Sequence, residues 1–426
     1  MTSLFTPPAG AYTSDPTFAH RQTHAVVNLA DHHGEPLPHQ EVTVRQLRHD
    51  FKFGCIGFEL IDWVNGRSAD PEYDAALAEQ WLGLFDTATL PFYWGTFEPE
   101  QGAPKTEALR RTAQWFADQG IRLKGHPLVW HTVCAPWLLE KSPAEAERLL
   151  RERIRREVSD FSGLIDTWDA INEVVIMPVF TAEDNAVTRI AHIKGRVEMM
   201  RIAFDEARAA NPHATLLLND FDMSTAYECL IEAALEAGIT IDRLGLQSHM
   251  HQGTWGAEKT ERVLERFSRY NIPIHFTETT ILSGTPVPPG LSDLNDWQVT
   301  AEQWPSTEEG EEIQAQEVEA HYSRLFAHPA VEALTYWGLP DRNMWLNAPG
   351  GLIRRDGTPK PAYHRLRDLI RDQWWTPETT LRSDANGEVR FSGFLGDYEL
   401  SVADTSTELQ LRSPGEAHHQ VVTPQR

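Results

Sequence analysis

Ile165-Asp166-Thr167-Trp168-Asp169-Ala170-Ile171-Asn172-Glu173-Val174 is an apolar-flanked run that closes on a carboxylate beside an amide. Later in the chain Pro273-Ile274-His275-Phe276-Thr277-Glu278 takes the same form, a short apolar run ended by a glutamate where a loop begins. Two such glutamates are the groups that breaking a glycosidic bond requires. One carboxylic acid protonates the leaving oxygen, and one carboxylate attacks or activates water.

Working outward from these runs, short apolar stretches alternate with longer helical segments from about Phe51 to Trp374, the pattern of successive βα units on a parallel sheet. Strands are expected to begin near Phe53, Thr87, Arg122, Thr167, Thr215, Arg243, Ile274 and Ala333, the number that closes a (β/α)8 barrel. The helices between them carry their own punctuation. Ser142-Pro143-Ala144-Glu145 joins an N-cap serine, a proline at the first helical position and a capping-box glutamate, and Ser306-Thr307-Glu308-Glu309 has the same spacing. Leu109, Ala113 and Phe116 share a helical face, and Gly120 sits where that helix must stop. The stretch from Leu282 to about Pro305 is long for a loop in a compact domain. Its Trp297 and Trp304 suit either a sugar cleft or a local apolar anchor.

Both chain ends carry isolated strand patterns, too few at either end to be stable alone. Residues 22–48 hold Ala25-Val26-Val27-Asn28-Leu29 and Glu41-Val42-Thr43-Val44-Arg45, and residues 377–412 hold three further runs with Asn386-Gly387 as a hairpin turn. The two segments are expected to pack as one accessory β-sandwich, with residues 1–21 a loose lead-in, residues 50–374 the barrel and residues 413–426 a tail.

With 38 Lys+Arg against 62 Asp+Glu the chain carries a formal charge of -24, which opposes binding to nucleic acid or anionic lipid. The first residues show no basic and then apolar leader pattern, and Cys55, Cys134 and Cys229 are too few for a disulfide framework. A cytoplasmic protein with a carbohydrate partner is expected, and the oligomeric state stays open.

Seven motifs then occur in order. They are Gly125-His126-Pro127-Leu128-Val129-Trp130-His131, Trp168-Asp169-Ala170-Ile171-Asn172-Glu173, Leu217-Leu218-Asn219-Asp220-Phe221, Gly245-Leu246-Gln247-Ser248-His249, Thr277-Glu278, Trp337-Gly338-Leu339-Pro340-Asp341-Arg342-Asn343-Met344-Trp345 and Pro359-Lys360-Pro361-Ala362-Tyr363. Over residues 50–373 the chain resembles family 10 of the glycoside hydrolases, the endo-β-1,4-xylanase family. The resemblance implies a (β/α)8 barrel, with Glu173 as acid/base after strand four and Glu278 as nucleophile at the end of strand seven. Retention of configuration then follows, with the carboxyls about 5 to 5.5 Å apart. It further implies that Asn172 donates to the sugar 2-OH and to the nucleophile, and that His249 bonds the nucleophile. His126, Trp130, Gln247 and Trp337 would surround the cleaved sugar, with Trp345 beside the leaving group. No cofactor is expected. His249 and His251 form a His-x-His pair, but no Cys or acidic cluster joins them at ligand spacing, so no metal is expected either.

The chain also departs from that family. Where family members carry Glu-Asn and then Lys to hold the next sugar on the non-reducing side, this chain reads Thr89-Leu90-Pro91-Phe92-Tyr93-Trp94, which brings Tyr93 to the site instead. The Gln that follows the second His of the strand-three motif is replaced within Thr132-Val133-Cys134, and Glu-x-Asp after strand seven becomes Glu278-Thr279-Thr280, removing the acid that orients the histidine. The expected activity is therefore a retaining β-glycosidase acting on a β-linked oligosaccharide or glycoside, most readily a xyloside or glucoside. Endo-β-1,4-xylanase action and a catalytically silent carbohydrate-binding protein are the alternatives.

Overall fold

The computed structural model describes residues 16–291 and 293–422. Residues 1–15 of the expected lead-in lie outside it, as do residues 423–426 of the expected tail. The chain divides into two compact units, residues 53–364 and a unit made of the chain up to residue 52 together with residues from 365 onward.

The larger unit is a closed barrel of eight parallel strands, β3 (Lys52–Ile56), β4 (Thr87–Pro91), β5 (Arg122–His126), β6 (Thr167–Asn172), β7 (Thr215–Asp220), β8 (Arg243–Met250), β9 (Ile274–Ile281) and β10 (Val331–Tyr336), with β10 closing onto β3. These strands are buried on both faces, as barrel strands must be; every residue of β9 is buried, and Trp168, Ala170 and Ile171 of β6 are wholly inaccessible. Close packing fixes one glycine. A Cβ on Gly125 of β5 would lie 2.2 Å from the Trp168 indole, so the large ring on β6 fits only because its neighbour has no side chain.

The helix Pro143–Asp160 begins as expected, with Ser142 Oγ accepting from Glu145 N–H. At the helix Glu308–Ala327 the cap lies one residue later than the spacing suggested. Thr307 takes the Gly310 N–H, while Ser306 donates to the Glu311 carboxylate. The loop after β9 resolves the two roles open for its tryptophans. Trp304 and Trp297 stand edge to face at 5.7 Å, and Trp304 is buried with Leu282, Val287, Met344 and Ala348 in a small apolar cluster, so they anchor the loop.

In the second unit β1 (Gln22–Ala30), β12 (Glu388–Phe394) and β15 (Gly415–Val422) form one sheet, and β2 (Glu41–His49), β11 (Thr379–Arg382), β13 (Gly396–Val402) and β14 (Thr405–Leu411) form another. Each sheet mixes strands from both ends of the chain, and a shared core of Val27, Leu29, Val42, Val44, Tyr398, Leu400 and Leu411 lies between them. This is the accessory sandwich. Two details differ from the expectation. Asn386-Gly387 joins β11 to β12, which pair with β2 and β1 respectively, so the turn crosses between sheets and makes no hairpin. The expected tail contributes β15, which runs parallel to β1; as an edge strand it carries exposed polar residues such as His418 and Gln420, which hide it in the sequence. Pro16–Arg21 forms a 3-10 turn before β1. Among the described residues no helix is long and apolar enough to cross a membrane.

Candidate active site

The two glutamates meet at one end of the barrel. Glu173 follows β6 directly, and its φ of +57° lies in the left-handed region, which a non-glycine residue holds only when its surroundings impose it. Here its N–H donates to the Asn219 carbonyl of β7. Glu278 does not end its strand as expected but lies within β9, which continues through the buried Thr279, Thr280 and Ile281 because it stays paired with β8 as far as Met250.

A relay of amides joins them. Gln247 Nε2 donates to Asn172 Oδ1 at 3.1 Å and to Glu173 Oε1 at 3.2 Å, and Asn172 Nδ2 donates to Glu173 Oε1 at 3.2 Å. Asn219 Nδ2 donates to Asn172 Oδ1 at 2.8 Å and to Glu278 Oε1 at 2.9 Å. The nucleophile contact expected of Asn172 is thus made by Asn219, because the β7 side chain stands between the two. Asn219 is fixed in turn by the Thr277 hydroxyl and by Gly245, where a Cβ would fall 2.4 Å from Asn219 Oδ1.

The environments of the two carboxyls differ. Burial, and next the charge of Glu278, push Glu173 up to about 7, with the indole N–H of Trp130 at 2.8 Å and Gln247 pulling the other way. Burial also acts to raise Glu278, but His126 and His249 outweigh it and hold this carboxyl below the usual range. His126 Nε2 lies 3.9 Å from Glu278 Oε1, while its Nδ1 meets Asp169 Oδ2 at 2.7 Å. Lys124 Nζ lies 2.8 Å from the same Asp169 oxygen. Burial would raise Asp169, but Lys124 and His126 keep it ionised. At neutral pH one site therefore holds a carboxyl able to give a proton and a carboxylate able to attack.

His249 reaches Glu278 Oε2 with Nε2 at 3.2 Å, and its Nδ1 lies 3.0 Å from the Thr280 hydroxyl. Thr280 stands where the resemblance led one to expect an acid. A hydroxyl can donate to Nδ1 or accept from it, so Thr280 orients the ring toward Glu278 without the acid.

Aromatic rings complete the enclosure. Tyr93 packs against His126 at 5.6 Å and Trp130 at 5.3 Å, and Trp337 stands edge-on to His126 at 5.0 Å. Trp345, 38% exposed, lies 5.2 Å from His249 and 5.0 Å from the buried His251. It is presented by a turn with positive φ at Asn343, Leu346 and Asn347. Among the described residues no group of three or more His, Cys, Asp or Glu is arranged to hold a metal ion.

The sequence matches the family model for glycosyl hydrolase family 10 over residues 71–369. The chain belongs to that family. It is 26% identical over 302 residues to endo-1,4-beta-xylanase B of Thermotoga neapolitana, an alignment covering 66% of this chain and 78% of that protein. It is 25% identical over 332 residues to the endo-1,4-beta-xylanase/feruloyl esterase of Xylanibacter ruminicola, covering 71% and 44%. Among solved structures, xylanase 10B from Thermotoga petrophila in complex with xylobiose superposes with a TM-score of 0.60 at 20% identity, covering 76% of this chain and 95% of that one, a likeness of fold. As a family 10 member the protein is an O-glycoside hydrolase that retains anomeric configuration by a two-glutamate mechanism.

All ten expected site residues, Tyr93, His126, Trp130, Asn172, Glu173, Gln247, His249, Glu278, Trp337 and Trp345, lie in this one contact network. The sequence reasoning assigned no role to Asn219, Asp169, Lys124 or Thr280. Asn219 and Asp169 lie inside the motifs at residues 217–221 and 168–173, where strand position marks them. Lys124 is marked only by its partner Asp169, and the sequence showed Thr280 only as a lost acid, its bond to His249 being a tertiary contact.

Proposed function

We propose that Glu278 is the nucleophile and Glu173 the acid/base of a retaining β-glycosidase, with a β-xyloside or β-glucoside as the cleaved unit. The observation that carries this reading is the opposite displacement of two carboxyls, Glu278 buried and Glu173 half-buried, joined by one amide relay. In the first step Glu173 gives its proton to the glycosidic oxygen as a Glu278 oxygen bonds to the anomeric carbon and the aglycone leaves. In the second, water attacks that carbon and passes a proton to Glu173, and the Glu278 bond breaks. The amides of Asn172 and Gln247 border the space between the carboxyls and are placed to hold a sugar hydroxyl. Aromatic faces such as Trp337 suit the apolar face of a pyranose.

The relatives named as endo-1,4-beta-xylanases support a second reading, β-1,4-xylan chains as substrate, and digestion of xylohexaose distinguishes internal from terminal cutting. The free thiols Cys55, Cys134 and the exposed Cys229 support a reducing, cytoplasmic setting. The roles are tested with aryl β-glycosides. Glu278→Ala is expected to abolish turnover, whereas Glu173→Ala spares substrates with good leaving groups far more than poor ones. Equal loss on both substrate classes would refute the assignment of Glu173.

A further inference from the structure

No motif marks Phe58, which follows β3 at the catalytic end of the barrel. Its ring stands edge-on to Tyr93 at 5.9 Å and 88°, and edge-on to Trp337 at 5.7 Å and 76°. Tyr93 and Trp337 each pack edge-on against His126, at 5.6 and 5.0 Å. The four rings close a cycle in which each touches two others, at the separations of packed aromatic pairs. No second ring, aromatic or sugar, fits between them.

The side of the site on which this wall stands follows from the chemistry. The leaving group departs toward the proton donor, Glu173, so the sugar that stays attached lies over Glu278, on the side of His126. Behind His126 stands the wall. The strand beneath it offers no polar group to a further sugar, because Thr89, Leu90 and Phe92 are wholly buried and Phe92 packs on Trp168 and Phe161. The buried Arg153 guanidinium donates to the carbonyls of Phe92 and Leu128, which fixes the backbone just before Tyr93 and just after His126. Among the described residues the Tyr93 hydroxyl has no hydrogen-bond partner in the protein and is free to meet a hydroxyl of a terminal sugar.

We propose that Phe58, with Tyr93 and Trp337, ends the glycone side of the site after a single sugar, so that the enzyme removes one β-linked residue at a time from the non-reducing end. The proposal rests on the hydrolase reading above and is tested with paired substrates, 4-nitrophenyl β-xyloside and β-glucoside against the corresponding β-1,4-linked biosides. The wild-type kcat/KM for release of nitrophenol is expected to favour the monosides by about 100-fold or more, and Phe58→Ala to narrow that ratio by about 10-fold or more. Phe58→Leu, which keeps most of the volume, should narrow it less and covers the case in which the alanine variant does not fold. Xylohexaose reduced at its end should release xylose as the first product. Nitrophenol release from a bioside with an intact disaccharide, as fast as from the monoside, would overturn the proposal, as would disaccharides as the first products. An unchanged ratio in both folded Phe58 variants would remove Phe58 from it. Turnover of neither series would instead sink the hydrolase reading, and this inference with it.

Discussion

Replacing Trp130 by phenylalanine removes one N–H while leaving an aromatic ring against Tyr93. That N–H donates to Glu173 Oε2 at 2.8 Å. Burial and the charge of Glu278 carry Glu173 from 4.5 to about 7, which amounts to about 3 kcal/mol in favour of the protonated form. The indole acts against this by stabilising the ionised form. A hydrogen bond to a charged group contributes about 1.5 to 3 kcal/mol, and water entering the gap recovers part of that, so about 1.4 kcal/mol, one pH value, is the expected net effect. The sign is fixed: losing a donor to the carboxylate raises the Glu173 pKa and extends the protonated range upward. In the wild type the alkaline limb of kcat/KM should be centred near pH 7. In Trp130→Phe it should move up by about one pH value, while the acid limb set by Glu278 stays in place. The assay is initial-rate measurement from about pH 4 to about pH 10 on an aryl β-glycoside with a poor leaving group, where proton donation limits the rate. An alkaline limb that stays put in a folded Trp130→Phe enzyme, or moves to lower pH, would refute the assignment of that limb to Glu173.

Two further predictions concern residues that support the site. Thr280→Val leaves His249 Nδ1 without its 3.0 Å partner and loosens the half-buried ring beside Glu278, so kcat should fall about 10-fold with little change in KM, the order of a single lost hydrogen bond; unchanged kcat would show that the ring is held by other means. Lys360 Nζ bonds Ser283 Oγ and Asp341 Oδ1, both at 2.8 Å, and so ties the start of the loop after β9 to the turn that carries Trp345. Lys360→Met should destabilise the protein by about 3 to 5 kcal/mol in denaturant melts at neutral pH, less at acid pH where Asp341 can protonate, and a loss independent of pH would show that the charge of Asp341 is not the cause.

The (β/α)8 barrel was legible because its strands are buried on both faces and therefore read as short apolar runs between helical segments. Glu173 could be named because a carboxylate directly after a buried strand has little cause to stand there except to project into a site, and Glu278 because a buried strand carries a carboxylate only where a site needs one. The termini were less legible. Strand patterns at both ends were visible, but pairing is a long-range property, so the Asn386-Gly387 turn suggested a hairpin although β11 and β12 belong to different sheets. The polar edge strand β15 carried too little apolar signal to be seen.

The sequence by itself determined the kind of chemistry, because reaction type depends on which groups stand at the ends of which strands, and strand order carries that information. Tertiary structure alone decided how those groups are tuned. Asn219 takes the bond to Glu278 that Asn172 had seemed placed to make, and Thr280 replaces an acid as the partner of His249. Phe58, silent in the sequence, stands in the ring wall with Tyr93 and Trp337. Each of these is a contact between residues on different strands or loops, and one-dimensional spacing cannot record which side chains fill the same few ångströms.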